Sequence, residues 1–395
     1  MTILYANHLN YRYDPRRFSA STDSAIPVTS NIGESTSSET GGGIDSILYG
    51  NEVYQENQWT GGNHAGWFYV GPEYSLSDGW YHFKWSTNAG AGIDWLSQAD
   101  GTQASFITLL DENDKQIFSI EPTPEGRVRT YIGNLDSSGL NSVDFSGNPY
   151  PTINTATYFD SDVAATYDLN WSIGASGHFA LYINNQKWYE YTGDTRNNAT
   201  AGSGTTVKRI IRSLDKNQDS ATAWNAEHIV GDDTSRTIGM RLKELDLNQG
   251  SLFEAQLVNP QGTLVLEGIK TPESQIDSDY YFVDSDQDTL RLNPDVNGSG
   301  YSPSAGGDSV IKAVVLHHRS FFIQDSADSS GTLDLLNVGV RAYDSDNIIN
   351  SYSLVKNEPV SRQTILSTNP IRNYVLWKDS DINNLEFVLR FDSTV

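Results

Sequence analysis

One stretch of this chain, Tyr167 to Gly193, limits the possible fold more than any other. Within it, His178 to Ile183 alternates between two faces, as a β-strand does. One face carries Phe179, Leu181 and Ile183, and the other carries His178, Ala180 and Tyr182. The pair Asn184-Asn185 tolerates the positive φ angles of a tight turn, and Lys187 to Tyr191 is interpreted as the returning strand. The stretch therefore predicts an aromatic β-hairpin.

A second stretch, Ser77 to Trp85, alternates in the same way. Its aromatic face carries Tyr81, Phe83 and Trp85. Two such faces stacked against each other would make the core of a β-sandwich. The two stretches together predict a sandwich that is built around aromatic rings.

Composition supports an all-β fold over the whole length of 395 residues. Only 19% of the residues are charged, and the chain is rich in Gly, Asn, Asp, Ser and Thr, which favour turns between strands. Short alternating segments separated by such turns are typical of sandwiches and jelly rolls. We predict an N-terminal extended arm with a Ser/Thr/Gly-rich linker (1–43), a jelly-roll domain (44–250) and a second β-sandwich domain (251–395).

Charge and cysteine content exclude several classes of function. The formal net charge is −24, which disfavours binding to nucleic acid or to an anionic membrane. The chain has no cysteine, so disulfides and thiolate metal sites are excluded. The chain contains no run of about 18 apolar residues, so no membrane span is predicted. The first residues lack the apolar segment of a secretory signal, so we expect export by another route, such as lysis.

The N-terminal segment allows two interpretations. Residues 1–13 are expected to form a short strand or an extended arm with three tyrosines to bury. Residues 19–43 have the composition of a linker and are too poor in large apolar side chains to fold alone. The segment is either an arm that docks on a neighbouring molecule or a loose tail.

In the second domain, Val310 to Leu316 is nearly all apolar. This pattern predicts a central strand that is buried on both faces. Other strands are expected at Thr289 to Leu292, Leu333 to Ala342 and Leu385 to Phe391.

Aromatic residues suggest a sugar-binding platform. Trp95 follows Asp94 in a Gly-rich loop, and the returning strand of the hairpin carries three more rings. The candidate glycan-binding residues are Asp94, Trp95, Trp188, Tyr189 and Tyr191. Sugars stack their C–H faces on exposed rings, and carboxylates accept hydrogen bonds from their hydroxyl groups. The alternative is that these rings are core residues, because aromatic side chains dominate the packing of β-sandwiches.

A second candidate is a calcium site. Asp284, Asp286 and Asp288 alternate along the chain, and Asp295 falls where a twelfth-position ligand would lie. The sixth position is Thr289 rather than the glycine that such a loop needs. The simpler interpretation is the tip of a hairpin. We therefore predict no cofactor, with calcium at the three aspartates as the alternative.

Signals for catalysis are weak. Gly307-Asp308-Ser309 superficially resembles an esterase nucleophile block, but no Asp-x-x-His follows it. Lys243-Glu244-Leu245-Asp246 supplies two of the three carboxylates of a glycosidase strand motif. We therefore predict that the protein is not an enzyme.

Two segments together resemble the laminin-G-like and concanavalin-like jelly rolls. The first is Asp78-Gly79-Trp80-Tyr81-His82-Phe83, which is similar to the Asp-Gly-x-Trp-His strand of that family. The second, Gly177 to Asn185, is similar to its Leu-Tyr-hydrophobic-Asn-Gly hairpin. Tyr81 intervenes before His82, and Asn185 replaces the usual glycine. The resemblance implies glycan or protein binding, often with calcium and less often with glycanase activity.

The whole chain also resembles the fibre, knob or decoration proteins of tailed bacteriophages. The shared features are an acidic body without cysteine, a Ser/Thr/Gly-rich arm and two successive β domains. This resemblance implies a structural component of the virion, located on the extracellular phage particle. Its partners would be other virion proteins, further copies of the chain in a homo-oligomer and host-surface glycans. The alternative function is an extracellular carbohydrate-binding or glycan-hydrolysing module.

Overall fold

The structure is a computed structural model, and the part of the chain that it describes consists of residues 2–7, 43–49, 52–58, 67–87, 107–113, 116–122, 128–132, 165–196, 204–213, 222–242, 246–248, 289–295, 310–320, 333–342, 345–354, 360–372, 376–382 and 384–393. The chain divides into two compact units, Met1–Leu242 and Lys243–Val395. Both units are built from β-strands, which confirms the predicted all-β fold.

The first unit contains thirteen strands among its described residues. They are β1 (Ile3–Asn7), β2 (Gly43–Tyr49), β3 (Glu52–Gln58), β4 (Trp67–Tyr69), β5 (Asp78–Thr87), β6 (Ile107–Asp111), β7 (Gln116–Pro122), β8 (Val128–Ile132), β9 (Ala165–Ser172), β10 (Gly177–Ile183), β11 (Gln186–Gly193), β12 (Val207–Ser213) and β13 (Thr222–Asp232).

Described strands of the second unit are β14 (Asp246–Asn248), β15 (Thr289–Asp295), β16 (Val314–Ser320), β17 (Leu333–Ala342), β18 (Ser345–Ser353), β19 (Val360–Leu366) and β20 (Phe387–Ser393). A short helix α1 (Asp379–Ile382) and a 3-10 turn (Pro370–Arg372) also lie in this unit.

Two antiparallel sheets form the first unit. The larger has eight strands in the order β11-β10-β9-β5-β13-β3-β2, and β1 pairs with β13 beside this row. The smaller has the order β4-β12-β6-β7-β8. Phe118 of β7 and Phe179 of β10 stack with ring centroids 4.3 Å apart, so the two sheets face each other across a shared core. The first unit is therefore a β-sandwich.

Aromatic rings fill this core, as the alternation of the sequence predicted. Tyr81 and Phe83 of β5 are fully buried, and so are Tyr167 and Phe179 on the neighbouring strands. Phe83 lies between Tyr81, at 5.1 Å, and Tyr167, at 4.9 Å, measured between ring centroids. Such contacts stabilise the core beyond the burial of apolar area alone.

The predicted hairpin is confirmed. Strands β10 and β11 pair from Gly177 and Gly193 to Ile183 and Gln186. The connecting residues Asn184 and Asn185 have φ angles of 48° and 66°, the left-handed conformation that a two-residue turn requires. Asparagine tolerates this conformation better than most residues do, which explains why the turn forms without glycine.

The start of the chain is a strand of the large sheet. Strand β1 pairs with β13, and Ile3 and Tyr5 are buried there. The backbone N–H of Thr2 donates hydrogen bonds to Asp232 Oδ1, at 3.2 Å, and to Ser235 Oγ, at 2.8 Å. Residues 8–42, which hold most of the predicted arm and linker, lie outside the described residues.

The second unit contains one sheet in the order β14-β15-β20-β17-β18 and the pair β16-β19. Its buried residues include Leu336, Val338 and Val340 of β17. Tyr352 of β18 donates a hydrogen bond to the carbonyl oxygen of Gln363 on β19, at 3.0 Å. This bond links the five-stranded sheet to the pair β16-β19, and the ring of Tyr352 packs against the buried residues of the unit.

The prediction for Val310 to Leu316 is wrong. Strand β16 begins only at Val314, and within the described residues it pairs with β19 alone. Val310 is 52% exposed, and Lys312 is also exposed. The apolar run therefore includes an exposed segment before the strand as well as the start of the strand itself. Its hydrophobicity alone did not indicate where the strand begins.

Candidate functional site

The large sheet has an outer face, which we define as the face turned away from the smaller sheet of the first unit. On β5, Tyr81 and Phe83 point into the core, so the alternate residues Trp80, His82 and Lys84 belong to the outer face. The register of β5, β9 and β10 aligns these residues in rows across the sheet. One row contains Trp80, Asn170 and Ala180, and the next contains His82, Asp168 and Tyr182.

Part of the outer face carries four buried ionisable side chains, and the exposed Arg241 pairs with one of them. We call the five residues the ion cluster: His82, Lys84, Asp168, Glu227 and Arg241. The Nδ1–H of His82 donates to Asp168 Oδ1 at 2.8 Å. Lys84 Nζ lies 3.4 Å from Glu227 Oε1, and His82 Nε2 lies 3.8 Å from Glu227 Oε2. Arg241 holds both carboxylate oxygens of Glu227, with Nε 3.0 Å from Oε2 and Nη2 3.1 Å from Oε1.

Glu227 reaches the cluster because β13 contains a bulge. Ala226 pairs with Lys84 and Ile229 pairs with His82, so Glu227 and His228 together oppose the single residue Phe83. His228 turns inwards, where its Nδ1 lies 2.7 Å from the hydroxyl oxygen of Tyr81. Glu227 has a φ of 55°, a conformation that costs energy for any residue except glycine. Strain of this kind is concentrated at functional sites.

The cluster shifts the pKa values of two of its members. Burial by itself lowers the pKa of His82, but the hydrogen bond to Asp168 and the nearby Glu227 outweigh burial and raise it above its usual value. Burial by itself raises the pKa of Glu227, but His82, Arg241 and Lys84 together hold it far below its usual range. Glu227 is therefore ionised at neutral pH, and the cluster favours the charged form of His82.

A segment that follows β13, residues 233–242, lies over the ion cluster, and we call it the strap. The hydroxyl of Thr237 donates to Asp168 Oδ1 at 2.7 Å, and Arg241 pairs with Glu227. Ser235 packs over Gly231, since a Cβ atom at Gly231 would lie 2.5 Å from the Cβ of Ser235. The strap thus contacts β13 and the middle of β9, whereas Asn170 on β9 and His178 and Tyr182 on β10 are half-buried.

Beyond the strap, the outer face is partly open to solvent, and we call this region the open half. It contains the half-buried side chains of Asn170, His178 and Tyr182 and the buried ring of Trp80. The Nε2–H of His178 donates to Asn170 Oδ1 at 2.6 Å, and Asn170 Nδ2 donates to the carbonyl oxygen of Gly79 at 2.9 Å. The rings of Trp80 and Tyr182 lie 5.9 Å apart, so Tyr182 rests on a fixed aromatic base.

The predicted glycan-binding residues are not gathered in this region. Trp188 and Tyr189 are buried, with 9% and 8% of their surface exposed, and the register places Tyr189 opposite the core residue Leu181. Tyr191 is half-buried and donates a hydrogen bond to the carbonyl oxygen of Asp194 at 3.3 Å. These positions fit the alternative of core packing. Their role in glycan binding stays a prediction.

Other predicted site residues lie outside the described part of the chain. This holds for Asp94 and Trp95 and for the proposed calcium ligands Asp284, Asp286 and Asp288. Among the residues that the structure describes, no group of three or more His, Asp or Glu side chains is arranged to hold a metal ion. Within that same part of the chain, no helix is long and apolar enough to cross a membrane.

The ion cluster is the feature that sequence reasoning missed. His82 appears in the sequence only as part of a family-like motif, and Asp168 lies 86 residues away from it. One available signal was the alternation of β5, which places His82 and Lys84 on the side opposite to Tyr81 and Phe83. By contrast, the alternation of β10 did predict that His178 and Tyr182 share one face, opposite to Phe179.

Comparisons with known proteins were made on both sequence and structure. No family model and no curated protein sequence matches the chain. Its structure is similar to an endo-β-1,4-glucuronan lyase from the fungus Trichoderma reesei, with 14% identity, 60% of this chain and 98% of that chain covered and a TM-score of 0.35. It is also similar to a marine alginate lyase from Aplysia kurodai, with 9% identity, 59% and 100% coverage and a TM-score of 0.36.

A third similar structure is the carbohydrate recognition domain of Emp47p, with 11% identity, 54% of this chain and 99% of that chain covered and a TM-score of 0.29. At TM-scores below 0.5, these likenesses assign neither a ligand nor an activity to this protein.

Proposed function

We propose that this protein binds carbohydrate on the open half of its outer face. The observation that carries this function is the pairing of a half-open ring with a fixed polar group. Tyr182 rests on Trp80, and the amide of Asn170 is held beside it by His178 and by the backbone of Gly79. A ligand that stacks on a ring and exchanges hydrogen bonds next to it would fit this surface.

The chemistry of these groups suits sugars. A tyrosine ring offers a flat apolar surface with a polar tip, and a sugar ring offers a matching apolar face of C–H groups. Asparagine and histidine side chains can both donate and accept hydrogen bonds, as hydroxyl groups do. Because the β-sheet fixes the backbone beneath them, little ordering is needed when a ligand binds.

A binding role without catalysis is part of this proposal. Hydrolysis of a glycosidic bond requires two carboxyl groups that flank the bond. In the described part of the outer face, Asp168 and Glu227 are 0% and 1% exposed, and both are engaged by neighbouring side chains. The open half instead offers an amide, an imidazole and a phenol.

We also propose that the protein is a structural component of a phage particle. A carbohydrate-binding sheet would suit attachment to host-surface glycans, with other virion proteins and further copies of the chain as partners. Electron microscopy of particles labelled with an antibody against the purified protein would test this location directly.

Binding can be tested with a panel of oligosaccharides. Neutral members would be cello-, manno- and laminari-oligosaccharides, and acidic members would be alginate and polygalacturonate fragments. We expect wild-type protein and Tyr182→Phe, which keeps the ring, to bind at least one series, and Tyr182→Ala to lose most of its affinity. Gln186→Ala is the matched control, because Gln186 is an exposed residue of the same hairpin that pairs with Ile183 of the core face.

Two results would contradict the proposal. The first is equal binding by Tyr182→Ala and wild type, which would place the site elsewhere. The second is the appearance of new reducing ends or unsaturated sugars during incubation, which would show that the protein is an enzyme.

A further inference from the structure

The strap buries polar side chains in preference to apolar ones, unlike a segment that is packed permanently on a sheet. Ser235 and Thr237 are fully buried beneath it, whereas Ile238 and Met240 are only half-buried. A segment held by the hydrophobic effect would bury its apolar residues and expose its polar ones. The strap is held instead by side-chain hydrogen bonds and one ion pair, and Arg241 of that pair is 43% exposed.

The surface beneath the strap is also unusual for a covered sheet. Four ionisable side chains, those of His82, Lys84, Asp168 and Glu227, are at least 95% buried there. Apolar residues of similar volume would often make a covered surface at least as stable, because buried charges lose their hydration. In the described structure, Nε2 of His82 and Oδ2 of Asp168 have no hydrogen-bond partner. These groups have the chemistry of a surface that meets polar partners.

The strap has a fixed end and a point at which it can bend. Asp232 anchors its start, where Oδ1 accepts hydrogen bonds from the Oγ atoms of Thr234 and Ser235 at 2.7 and 2.6 Å. Further along, Gly239 has a φ of 77° and no atom near the position of a Cβ. Lifting the part between the anchor and Leu242 would require release of Thr237 from Asp168, and release of Arg241 and the Leu242 N–H from Glu227.

We propose that the carbohydrate-binding face continues beneath the strap, and that the strap opens to admit a neutral glycan chain onto the ion cluster. The continuation is direct, because His82, Asp168 and Tyr182 lie in one row of the sheet. Neighbouring strands are about 4.8 Å apart, so the row extends the site by about 10 Å from Tyr182 to His82.

The charges under the strap indicate the class of glycan. Two basic side chains, His82 and Lys84, lie there beside two acidic ones, Asp168 and Glu227, so the uncovered surface mixes both kinds evenly. It offers both donors and carboxylate acceptors, which match hydroxyl groups because these can donate and accept. A polyuronate would bring carboxylates against Asp168 and Glu227 and towards a chain of net charge −24. The surface therefore favours a neutral polysaccharide.

Opening of the strap can be measured without any glycan. Diethylpyrocarbonate modifies neutral imidazole groups that reach solvent. Because the pKa of His82 is raised, the labelling is done at about pH 9, where histidines lose their proton, and peptide mass spectrometry locates the product. His82 and His228 are both 0% exposed and lie on opposite faces of the sheet, so His228 is the matched control, and half-buried His178 is the positive control. We expect His82 to react faster than His228 in the native protein.

The variant Thr237→Val keeps the shape of the side chain but removes its hydrogen bond to Asp168. Loss of one such bond should raise the reaction rate of His82 about fivefold and leave that of His228 unchanged. If His82 and His228 react at the same slow rate in both proteins, the strap opens only on global unfolding and the inference is wrong.

The glycan class is tested with di- and hexasaccharides of the panel described above. This inference rests on the proposed carbohydrate binding, so the experiment must distinguish failure of the extended site from failure of carbohydrate binding itself. We expect a neutral hexasaccharide to bind more tightly than its disaccharide, and Thr237→Val to strengthen binding of the hexasaccharide alone. Preference for alginate or polygalacturonate would overturn the class of ligand. Rapid labelling of His82 with no glycan bound at all would overturn the proposed function while leaving the opening of the strap in place.

Discussion

Nδ1 of His82 and Oδ1 of Asp168 lie 2.8 Å apart at the centre of the large sheet, and both side chains are completely buried. The same carboxylate oxygen accepts a hydrogen bond from Thr237 of the strap. One carboxylate therefore connects two neighbouring strands with the segment that covers them. The carboxylate of Asp168 therefore affects both the stability of the sheet and the position of the strap.

The pH dependence of His82 should be visible in stability measurements. Its folded-state pKa is raised, so the stability that it contributes is fully present below about pH 6.5 and is lost as pH rises through the folded-state pKa. The free energy of unfolding, measured with urea, should differ more between wild type and His82→Gln at pH 5.5 than at pH 9. A difference that grows with rising pH would show that His82 is neutral in the folded protein.

Glu227 should show the opposite dependence. Its folded-state pKa is lowered, so its contribution is fully present above about pH 4.3 and is lost as pH falls towards the folded-state pKa. At pH 7, Glu227→Gln should lower the free energy of unfolding by about 3 kcal/mol, because it removes the negative charge that Lys84, Arg241 and His82 all face.

That loss should shrink as the pH falls below about 4, where wild-type Glu227 also begins to take up a proton. The exposed residue Glu190, which pairs with Lys187 at the surface, supplies a control. Glu190→Gln should change stability by less than about 1 kcal/mol at every pH. If the two variants behaved alike, the ion cluster would be open to water.

The contact between Gly79 and Trp171 should tolerate no additional atom. A Cβ atom at Gly79 would lie 2.5 Å from Cζ2 of Trp171, which is fully buried. Gly79→Ala should therefore lower the free energy of unfolding by about 1–3 kcal/mol, as overpacking does. At Gly174, a Cβ atom would meet only the backbone nitrogen of Ser176 at 4.0 Å, so Gly174→Ala should change stability by less than about 0.5 kcal/mol.

Asp111 should matter far more than the neighbouring Glu112. Asp111 is fully buried and accepts hydrogen bonds from the backbone N–H groups of Asn113, at 2.9 Å, and Gly204, at 3.0 Å. Asp111→Ala should lower the melting temperature and cost about 2 kcal/mol, because the buried N–H group of Gly204 loses its acceptor. Glu112 binds the N–H groups of Thr205 and Thr206 at the surface, and Glu112→Ala should cost less than about 1 kcal/mol.

The sequence predicted those parts of the fold that depend on local patterns. Alternation in β5 and β10 assigned Tyr81 and Phe179 to the core, and the positive φ angles of Asn184 and Asn185 follow from the turn chemistry of asparagine. Strand β17 has the predicted bounds Leu333–Ala342. Each of these features is determined within a few residues of the chain.

Features that depend on distant pairing were not predictable in this way. The ion cluster exists because β5, β9 and β13 are neighbours in a particular register, which no local pattern records. The bulge that brings Glu227 to His82 is likewise a property of the strand pair. The burial of Trp188 and Tyr189 was undecided for the same reason, since a ring in a strand can belong to either face until its partner strands are known.

The most direct test of the account is a calorimetric titration of wild type and Tyr182→Ala with the neutral hexasaccharides of the panel. Tyr182 is the half-open ring of the outer face, and it is not a member of the ion cluster. We predict measurable binding by wild type and a loss of at least tenfold in affinity for Tyr182→Ala, with a variant that still unfolds cooperatively. Equal affinities for the two proteins, or no binding of any hexasaccharide by wild type, would contradict the assignment of this sheet face as a carbohydrate-binding site.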